Sequence, residues 1–447
     1  MRGRTVWLRA RMHGQEGLGL IELMVAIVVF ALLATAVLTT LLMTINTTRL
    51  DRNRLAAANM ATRELEVVRA QFTQNPLSII TNQVVNPDPY PSGTVGTATT
   101  PGTASTVGPV AYTVTRTAQW ITNSSGGNAC SGGSTGQPNY LDVHVQVTWG
   151  NMGGVAPVVS DTLLATPKGL LTGTTGAMSV QVINRTGAGE QGQTVYVNGP
   201  GGYATTGVTP ANGCAVFAFL APGTYTVSLN TPGYVDQNGV ANPSQSVAVT
   251  TGATTNVPTF SYDQAATLAL TLAAPIGFTL PAGVSYPVTL GNSVLQPLGV
   301  KPFPGSGATR TLTPLWPSTS GYTAWVGDCQ AADPAQYPGG NRGSALVTNP
   351  GQTTAGSVGM GGVAVIVTND SAIPQAGRTV TATFVPPSGG DQGCPSGESY
   401  TLGTTDSLGQ LAVGLPYGTW QITAGGGSQQ VSVTPSTPTP SITVVTS

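Results

Sequence analysis

The sequence predicts one long N-terminal α-helix followed by all-β domains, and three observations support this fold class. Residues 20–45 are mostly apolar, and Glu22 is the only charged residue among them. An apolar stripe with helical spacing then continues to Phe72, and no Pro or Gly interrupts residues 20–74. Beyond this point, apolar residues alternate in short runs separated by Gly, Pro and Asn, which is typical of many short strands.

The predicted helix has an apolar half and an amphipathic half. Residues 23–45 are long enough to cross a bilayer, since a spanning helix needs roughly 20 apolar residues. Residues 46–75 are expected to be amphipathic, with Arg and Glu opposite the apolar stripe. That stripe is predicted to contain Leu55, Ala58, Ala61, Leu65, Val68 and Phe72. Asn75-Pro76 is predicted to end the helix.

The charge distribution orients this helix and excludes one class of partner. Residues 1–69 contain nine basic and five acidic residues, whereas residues 70–447 contain seven basic and twelve acidic residues. Basic residues before an apolar segment favour a cytoplasmic N-terminus. Because the later region offers no basic surface, we expect no nucleic-acid binding. An ordinary secretory signal has a shorter apolar core, so the sequence favours a single-pass membrane helix.

The N-terminal pattern resembles the type IV prepilin family, which includes minor pilins and pseudopilins. A basic leader ends at Gly17, Leu18 follows, and Glu22 occupies the fifth position of the predicted mature chain. A cut after Gly19 would place Glu22 at the third position, so Gly17 gives the better register. Leu18 replaces the usual Phe, and Gly19 replaces the usual Thr or Ser.

This resemblance implies processing and assembly. A prepilin peptidase would remove residues 1–17 and methylate the amine of Leu18, the mature N-terminus. Glu22 would then pair with the positive N-terminus of a neighbouring pilin, which neutralises two charges that are costly in lipid. The plainer alternative is a membrane anchor whose Glu22 reaches the interface.

The region from residue 76 to residue 168 is predicted to be a pilin-like β domain. Its strands include YLDVHVQVTW, in which His144 is expected to face the surface. Trp120 and Trp149 are expected to lie in the core rather than on a binding platform.

The rest of the chain repeats imperfectly. The segment from Thr209 to Gly213 matches that from Thr405 to Gly409, and LAPGTY at 220–225 matches LPYGTW at 415–420. Residues 175–262 and 360–447 resemble the carboxypeptidase regulatory-like and Cna-B-like β-sandwiches. Residues 264–359 are predicted to be a divergent relative. Together these predict about three Ig-like or transthyretin-like modules.

The sequence contains no pattern typical of an enzyme or of a cofactor site. It has no Ser/His/Asp set, no HExxH and no phosphate-binding glycine loop. Calcium sites need clustered oxygen ligands, and the loop acids Asp328, Asp333, Asp391 and Asp406 are separated in the sequence. We therefore expect no catalytic residues, no metal and no cofactor.

The four cysteines are compatible with two disulfides outside the cytoplasm. One cysteine lies in each predicted domain, so a bridge would have to cross a domain border. We expect Cys329 to pair with Cys394, and Cys130 to pair with Cys214 if the first β domain folds back onto the next. Bridging requires Cα atoms within about 4.4–6.8 Å.

These observations predict a minor pilin or pseudopilin of a type IV pilus-like or type II secretion-like filament. Its β modules would lie outside the membrane for adhesion or assembly priming, with an unidentified protein or carbohydrate ligand. One alternative is a surface adhesion protein that is anchored by a single membrane pass and does not polymerise. Another is an exported carbohydrate-active enzyme with accessory sandwiches, which the missing acid/base pair disfavours.

Overall fold

The chain begins with one long helix, α1 (Leu20–Gln74), of 55 residues. Gly19 is its N-cap, and the helix ends before Asn75, whose side chain accepts a hydrogen bond from the N–H of Leu77. Pro76 opens a short 3-10 turn that cannot continue the α-helix, since proline lacks the backbone donor. At about 1.5 Å per residue the helix is roughly 80 Å long. The predicted single helix and its end are confirmed.

The computed structural model describes residues 19–85, 105–121, 129–130, 136–167, 173–390 and 398–446. The first strands in this part of the chain are β1 (Val84–Val85), β2 (Ser105–Val107), β3 (Val110–Ile121), β4 (Tyr140–Trp149), β5 (Val158–Ala165), β6 (Gly176–Ile183), β7 (Thr194–Asn198), β8 (Ala204–Val208), β9 (Cys214–Leu220), β10 (Gly223–Leu229), β11 (Tyr234–Asp236), β12 (Ser244–Val249), β13 (Thr254–Asn256) and β14 (Phe260–Gln264). The later strands are β15 (Ala266–Ala273), β16 (Val288–Gly291), β17 (Val300–Phe303), β18 (Thr309–Leu315), β19 (Thr323–Val326), β20 (Thr353–Gly359), β21 (Gly361–Asn369), β22 (Thr379–Phe384), β23 (Ser399–Thr404), β24 (Gln410–Leu415), β25 (Gly418–Ala424), β26 (Gly427–Val433) and β27 (Ser441–Thr446). A long helix followed by β-sheets confirms the predicted fold class.

The chain divides into two compact units. The first takes its described residues from Met1–Ile79, Val84–Thr117 and Val143–Thr162. The second takes them from Ile80–Gln83, Ala118–Asp142 and Leu163–Ser447. This division separates parts of the predicted 76–168 domain, because residues 118–142 group with the later modules.

In the first unit, strands pair next to the second half of α1. The sheet order is β1-β3-β4-β5, with β2 also paired to β3. Side chains of β3 and β4 alternate between buried and more exposed positions, as expected for a sheet with one covered face. Trp149 is buried at the end of β4, as is Trp120 on the part of β3 that belongs to the second unit. Both tryptophans are core residues, as predicted.

In the second unit, two segments share one topology. Sheet β12-β10-β7-β8 of the first segment matches sheet β26-β25-β22-β23 of the last. In the opposing sheets, β6 pairs antiparallel with β9 and parallel with β14, and β21 pairs antiparallel with β24 and parallel with β27. The middle segment keeps a shorter version, in which β15 lies between antiparallel β18 and parallel β20. Its second sheet is β17-β16-β19.

The sequence repeat has equivalent contacts in the first and last segments. The hydroxyl of Thr209 accepts from the N–H of Gln193, and that of Thr405 accepts from the N–H of Arg378. The aromatic residues that follow the Pro/Gly turns also correspond. Tyr225 donates from its hydroxyl to the carbonyl of Ala221, four residues earlier, and the Trp420 indole donates in the same way to Pro416.

The middle and last segments share one apolar core. One continuous cluster of buried apolar side chains includes Leu268 and Trp325 of the middle segment and Val444 of the last segment. The hydroxyl of Tyr286 donates to the carbonyl of Gly414 across this core, at 2.9 Å. The first segment has its own core around Val180, with Tyr225 and Tyr262 fully buried.

Candidate functional site: the N-terminal helix

The first half of α1 is an exposed apolar surface that carries one acid. Every side chain from Leu20 to Arg49 is exposed in the isolated chain. By its length and apolar composition, this helix can cross a membrane. Glu22 lies in the first turn, and its N–H donates to the carbonyl of Gly19 at 2.9 Å. The Glu22 side chain is therefore held at the N-terminal end of the apolar segment.

Threonines in the apolar half satisfy their hydroxyls within the helix. Thr35 donates to the carbonyl of Ala31, Thr40 to that of Ala36, and Thr44 to that of Thr40, each four residues earlier. Thr39, Thr47 and Thr48 make similar bonds. Hydroxyls that bond to the helix backbone cost less in lipid than unpaired ones. The segment remains suited to a membrane despite these polar groups.

The predicted processing residues cannot be placed in this geometry. Gly17 and Leu18 lie outside the described residues, which begin at Gly19. Their roles as the residue before the cut and as the methylated N-terminus stay predictions. Glu22, the predicted assembly residue, is placed on the exposed helix surface.

The second half of α1 buries one face, but that face differs from the predicted stripe at its start. Ala61, Leu65, Val68 and Phe72 are buried as predicted, whereas Leu55 is 65% exposed. The other buried side chains are Asn53, Ala57, Met60 and Glu64. Ala58, which was also predicted to lie in the buried stripe, is only partly buried, whereas Ala57 is fully buried. From Ala61, the buried face therefore continues by a step of four residues rather than the predicted step of three.

A buried ion pair lies within this interface. Nη1 of Arg116, on β3, donates to Oε1 of Glu64 at 2.7 Å, and their side chains are 8% and 5% exposed. Burial raises the pKa of Glu64, and the Arg116 guanidinium opposes that rise. Sequence reasoning placed the helix glutamates on the exposed face, which is wrong for Glu64. The available signal was its spacing of four residues from Val68, on the buried stripe.

Two further polar contacts join α1 to the same unit. The hydroxyl of Tyr112 lies 3.4 Å from Oδ1 of Asn53, and both residues are buried. At the exposed edge, Arg69 donates to the hydroxyl of Thr162 at 3.1 Å and pairs with Glu66. The amphipathic half of the helix is thus fixed by apolar, ionic and hydrogen-bonded contacts.

Residues 12–38 match the sequence model of the prokaryotic N-terminal methylation motif. The chain carries this methylation motif, the signal of type IV pilins. The matched residues include Gly17, Leu18 and Glu22. They also cover the first five turns of α1, all of which belong to the exposed apolar half. The methylation motif covers only the N-terminal part of the chain, so it characterises the helix and not the β modules.

Solved structures overlap long stretches of the chain at low similarity. The Bacillus anthracis TIE protein is 13% identical, covering 76% of this chain and 72% of its own, with a TM-score of 0.20. BcpA, the major pilin subunit of Bacillus cereus, is 12% identical, covering 60% and 98%, with a TM-score of 0.20. A streptococcal ancillary pilin is 9% identical, covering 85% and 96%, with a TM-score of 0.19. No curated protein matches the sequence.

The three described cysteines, Cys130, Cys214 and Cys329, lie in the second unit. Cys130 and Cys214 form a disulfide with a Cα–Cα distance of 5.9 Å, joining the region before residue 168 to the first residue of β9. Cys329 is buried and disulfide-bonded. Cys394, the partner predicted for Cys329, lies outside the described residues, so that pairing stays a prediction.

Asp328, one of the predicted loop acids, lies in a cluster with a carboxylate from another segment. Asp328 and Glu398 lie close to Cys329, whose sulfur is 3.4 Å from Oε2 of Glu398. Because this sulfur is in a disulfide, it has no thiolate to offer a metal ion. Burial raises the pKa of Glu398 to about 7, and the charge of Asp328 adds to that rise. The sequence missed this cluster because its carboxylates belong to different segments.

Other polar residues have local structural roles. Asp333 accepts two hydrogen bonds from the guanidinium of Arg342, and Asp406 accepts from the N–H groups of Leu408 and Gln410 in a turn. Asp391 lies outside the described residues. His144 is exposed on β4, as predicted, with Nδ1 2.6 Å from a carboxylate oxygen of Asp161.

Proposed function

We propose that this protein is a minor subunit of a type IV pilus-like or type II secretion-like filament. The observation that carries the proposal is the position of Glu22, in the first turn of an uninterrupted 55-residue helix whose apolar half is entirely exposed. The methylation motif matches the same residues. In the free chain this apolar surface needs a membrane or neighbouring helices to cover it.

Removal of the leader creates the positively charged N-terminal amine with which Glu22 would pair. A prepilin peptidase cuts after Gly17 and methylates the amine of Leu18. The methylated amine remains positive, so it pairs with Glu22 of a neighbouring subunit in the filament. Each charge alone is expensive in an apolar environment, and their pairing sets the register between adjacent helices.

The membrane orientation follows from the charges around the apolar segment. Arg2, Arg4, Arg9 and Arg11 precede it, which places the N-terminus in the cytoplasm before processing. The β modules then lie on the outer side, where disulfides persist. After assembly, the modules are presented on the filament surface for adhesion or for priming of assembly.

A minor role fits the size of the β region. About 370 residues follow the helix, and a head of this size would crowd its neighbours in a regular filament. A tip or rare position avoids that crowding. We propose a structural and adhesive subunit rather than an enzyme.

The mass of the mature N-terminus tests leader removal. We expect a chain that begins at Leu18 with one added methyl group, measured by mass spectrometry of the N-terminal peptide. Gly17→Glu should block this processing by filling the small site before the cut. An intact Met1 in the wild-type membrane fraction would contradict the proposal.

Incorporation into filaments tests the role of Glu22. Glu22→Ala should leave the leader cut intact and reduce the amount of the chain in sheared filament fractions. Asp51→Ala is the matched control, because it removes an exposed acid from the same helix outside the motif. Normal incorporation of Glu22→Ala would show that Glu22 is not an assembly residue. Absence of the wild-type chain from sheared filaments would favour the alternative of a membrane-anchored adhesion protein that does not polymerise.

A further inference from the structure

A cleft of about 320 Å³ lies between the middle and last segments of the second unit. It is lined by Ala331 and Tyr337 from the middle segment and by Val385, Pro386, Pro387, Thr419 and Gln430 from the last. None of these described lining residues is charged. The volume is at the lower end of the range for small-ligand sites, about 300–1,000 Å³.

The cleft continues into the outer face of the last segment. Strand alternation places Thr419, Gln421 and Thr423 of β25 on this face, since Trp420 and Ile422 are buried. Register then places Ser432, Gln430 and Ser428 of β26 beside them. The neighbouring strands add Thr381 and Thr383 of β22, with Ser399 and Thr401 of β23. The described residues of this face carry hydroxyl and amide groups and no charge.

The hydroxyls on this face are held in rows across the strands. Thr383 lies 3.2 Å from the hydroxyl of Ser399, and Thr419 lies 3.0 Å from that of Ser432. Thr381 bonds to Thr423 in the same way. Fixed hydroxyls lose little rotational freedom on binding a ligand, so they are preorganised donors and acceptors.

An aromatic ring forms one wall of the cleft. The hydroxyl of Tyr337 donates to the carbonyl of Ala331 at 2.7 Å, which fixes the ring, and the ring lies 6.4 Å from that of Tyr417. Pro386 and Pro387 offer rigid apolar surface beside it. A flat apolar wall next to hydroxyl and amide groups suits a ligand that has apolar ring faces and polar edges.

We propose that this cleft and the adjoining hydroxyl face bind a neutral glycan. A sugar ring presents C–H groups to an aromatic or proline surface and hydroxyls to Thr419 and Gln430. The absence of charge among the described residues of the face matches an uncharged ligand and disfavours nucleic acid or an acidic peptide. The proposal rests on the proposed function for the surface location of the site, while the binding itself needs no filament.

A second copy of this chain fits the face less well. The face has hydroxyls that already bond to one another and few apolar side chains, so its burial against an identical face would gain little from the hydrophobic effect. Self-association is therefore an outcome that the experiment must separate from glycan binding.

The test uses the full chain, purified in detergent, in native gels that contain a soluble polysaccharide. Dextran, galactomannan and xyloglucan are the neutral probes, and hyaluronan is the anionic comparison. Gln430→Ala and Thr419→Val each remove one polar group from the cleft with little change in the core. Gln429→Ala is the matched control, because Gln429 is exposed on the same strand and strand alternation directs it away from this face.

We expect at least one neutral probe to retard the wild-type chain, and each cleft variant to weaken that binding by about 5-fold, as for one hydrogen bond lost. Gln429→Ala should bind as the wild type does. The proposal is overturned if no neutral probe retards the chain, if hyaluronan binds more tightly, or if the cleft variants bind normally. Loss of a concentration-dependent dimer in the same variants, without glycan binding, would assign the face to self-association. If Glu22→Ala fails to enter filaments but binds glycan normally, both proposals are supported. If the wild-type chain enters filaments but binds no neutral glycan, only the glycan proposal is overturned.

Discussion

Arg116 of β3 donates a hydrogen bond to Glu64 of α1 at 2.7 Å, and both side chains are almost fully buried. The pair lies among the apolar contacts that hold the amphipathic half of the helix in the first unit. A buried pair of this kind contributes little net free energy compared with apolar residues of equal size, yet removal of one partner leaves an uncompensated charge.

Arg116→Met should therefore destabilise the first unit by about 3–5 kcal/mol. The double variant Glu64→Met with Arg116→Met should recover most of that loss, because no buried charge remains. Hydrogen exchange of peptides from residues 53–72 measures the effect locally, which is needed since a chain of two units has no single unfolding transition.

Arg116→Met alone should also regain part of its lost stability at acidic pH. Burial already raises the pKa of Glu64, and removal of Arg116 takes away the charge that opposes the rise. Protonation of Glu64 then removes the unpaired charge. Equal exchange protection in the wild type and in Arg116→Met would show that the pair does not fix the helix to the sheet.

The helix α1 could be predicted from the sequence, whereas the ion pair between Glu64 and Arg116 could not. Helix length, its end at Asn75-Pro76 and the exposed apolar half follow from local composition, so they could be predicted. The partner of Glu64 could not, because it depends on which face of a distant strand meets the helix. The same limit explains the missed proximity of Asp328 and Glu398, which come from different segments.

The repeat, in contrast, could be predicted because matching residues in the two copies have matching structural roles. Gly213 and Gly409, which match in the sequence, have φ angles of 72° and 70°. In each copy a side chain at this position would meet a strand carbonyl, that of Val182 or Val367, at 2.2 or 2.6 Å. The glycine is required both by its left-handed conformation and by this close approach.

Gly409→Ala should therefore destabilise the last segment by about 3 kcal/mol or more, since left-handed strain of about 1–2 kcal/mol adds to the steric conflict. Gly377→Ala is the control, because Gly377 has a φ of 67° and nothing within 4 Å of an added Cβ. Gly377→Ala should lower the free energy of unfolding only by the left-handed backbone strain, about 1–2 kcal/mol. Hydrogen exchange in β21 and β24 measures both variants, and equal costs would show that the neighbouring strand yields.

Glu398 predicts a pH dependence of the second unit. Burial, aided by the charge of Asp328, raises its pKa from 4.5 to about 7. Between these values the folded chain binds more protons than the unfolded chain, so stability falls as pH rises from about 5 to about 7. The stabilising effect of the protonated carboxyl is present at low pH and lost above pH 7.

Glu398→Gln isolates this effect, because glutamine keeps the size of the side chain and an acceptor for the Tyr400 hydroxyl. Urea midpoints of the second unit, followed from pH 5 to pH 8, should fall less steeply in this variant than in the wild type. Some slope should remain, since burial also raises the pKa of Glu190. Parallel slopes in the two proteins would assign the pH dependence to other groups.

The disulfide between Cys130 and Cys214 closes a loop with a sequence separation of 84 residues. Loop-closure entropy in the unfolded chain gives a stabilisation of about 4.5 kcal/mol for a loop of this length. The double variant Cys130→Ser with Cys214→Ser should lower the thermal midpoint of the second unit accordingly, measured by scanning calorimetry in detergent. Cys214 is 1% exposed, so its replacement also places a hydroxyl in the core. Cys130→Ala with Cys214→Ala separates that contribution, because alanine brings no polar group. If both double variants have the same thermal midpoint as the wild type, the disulfide does not stabilise the second unit.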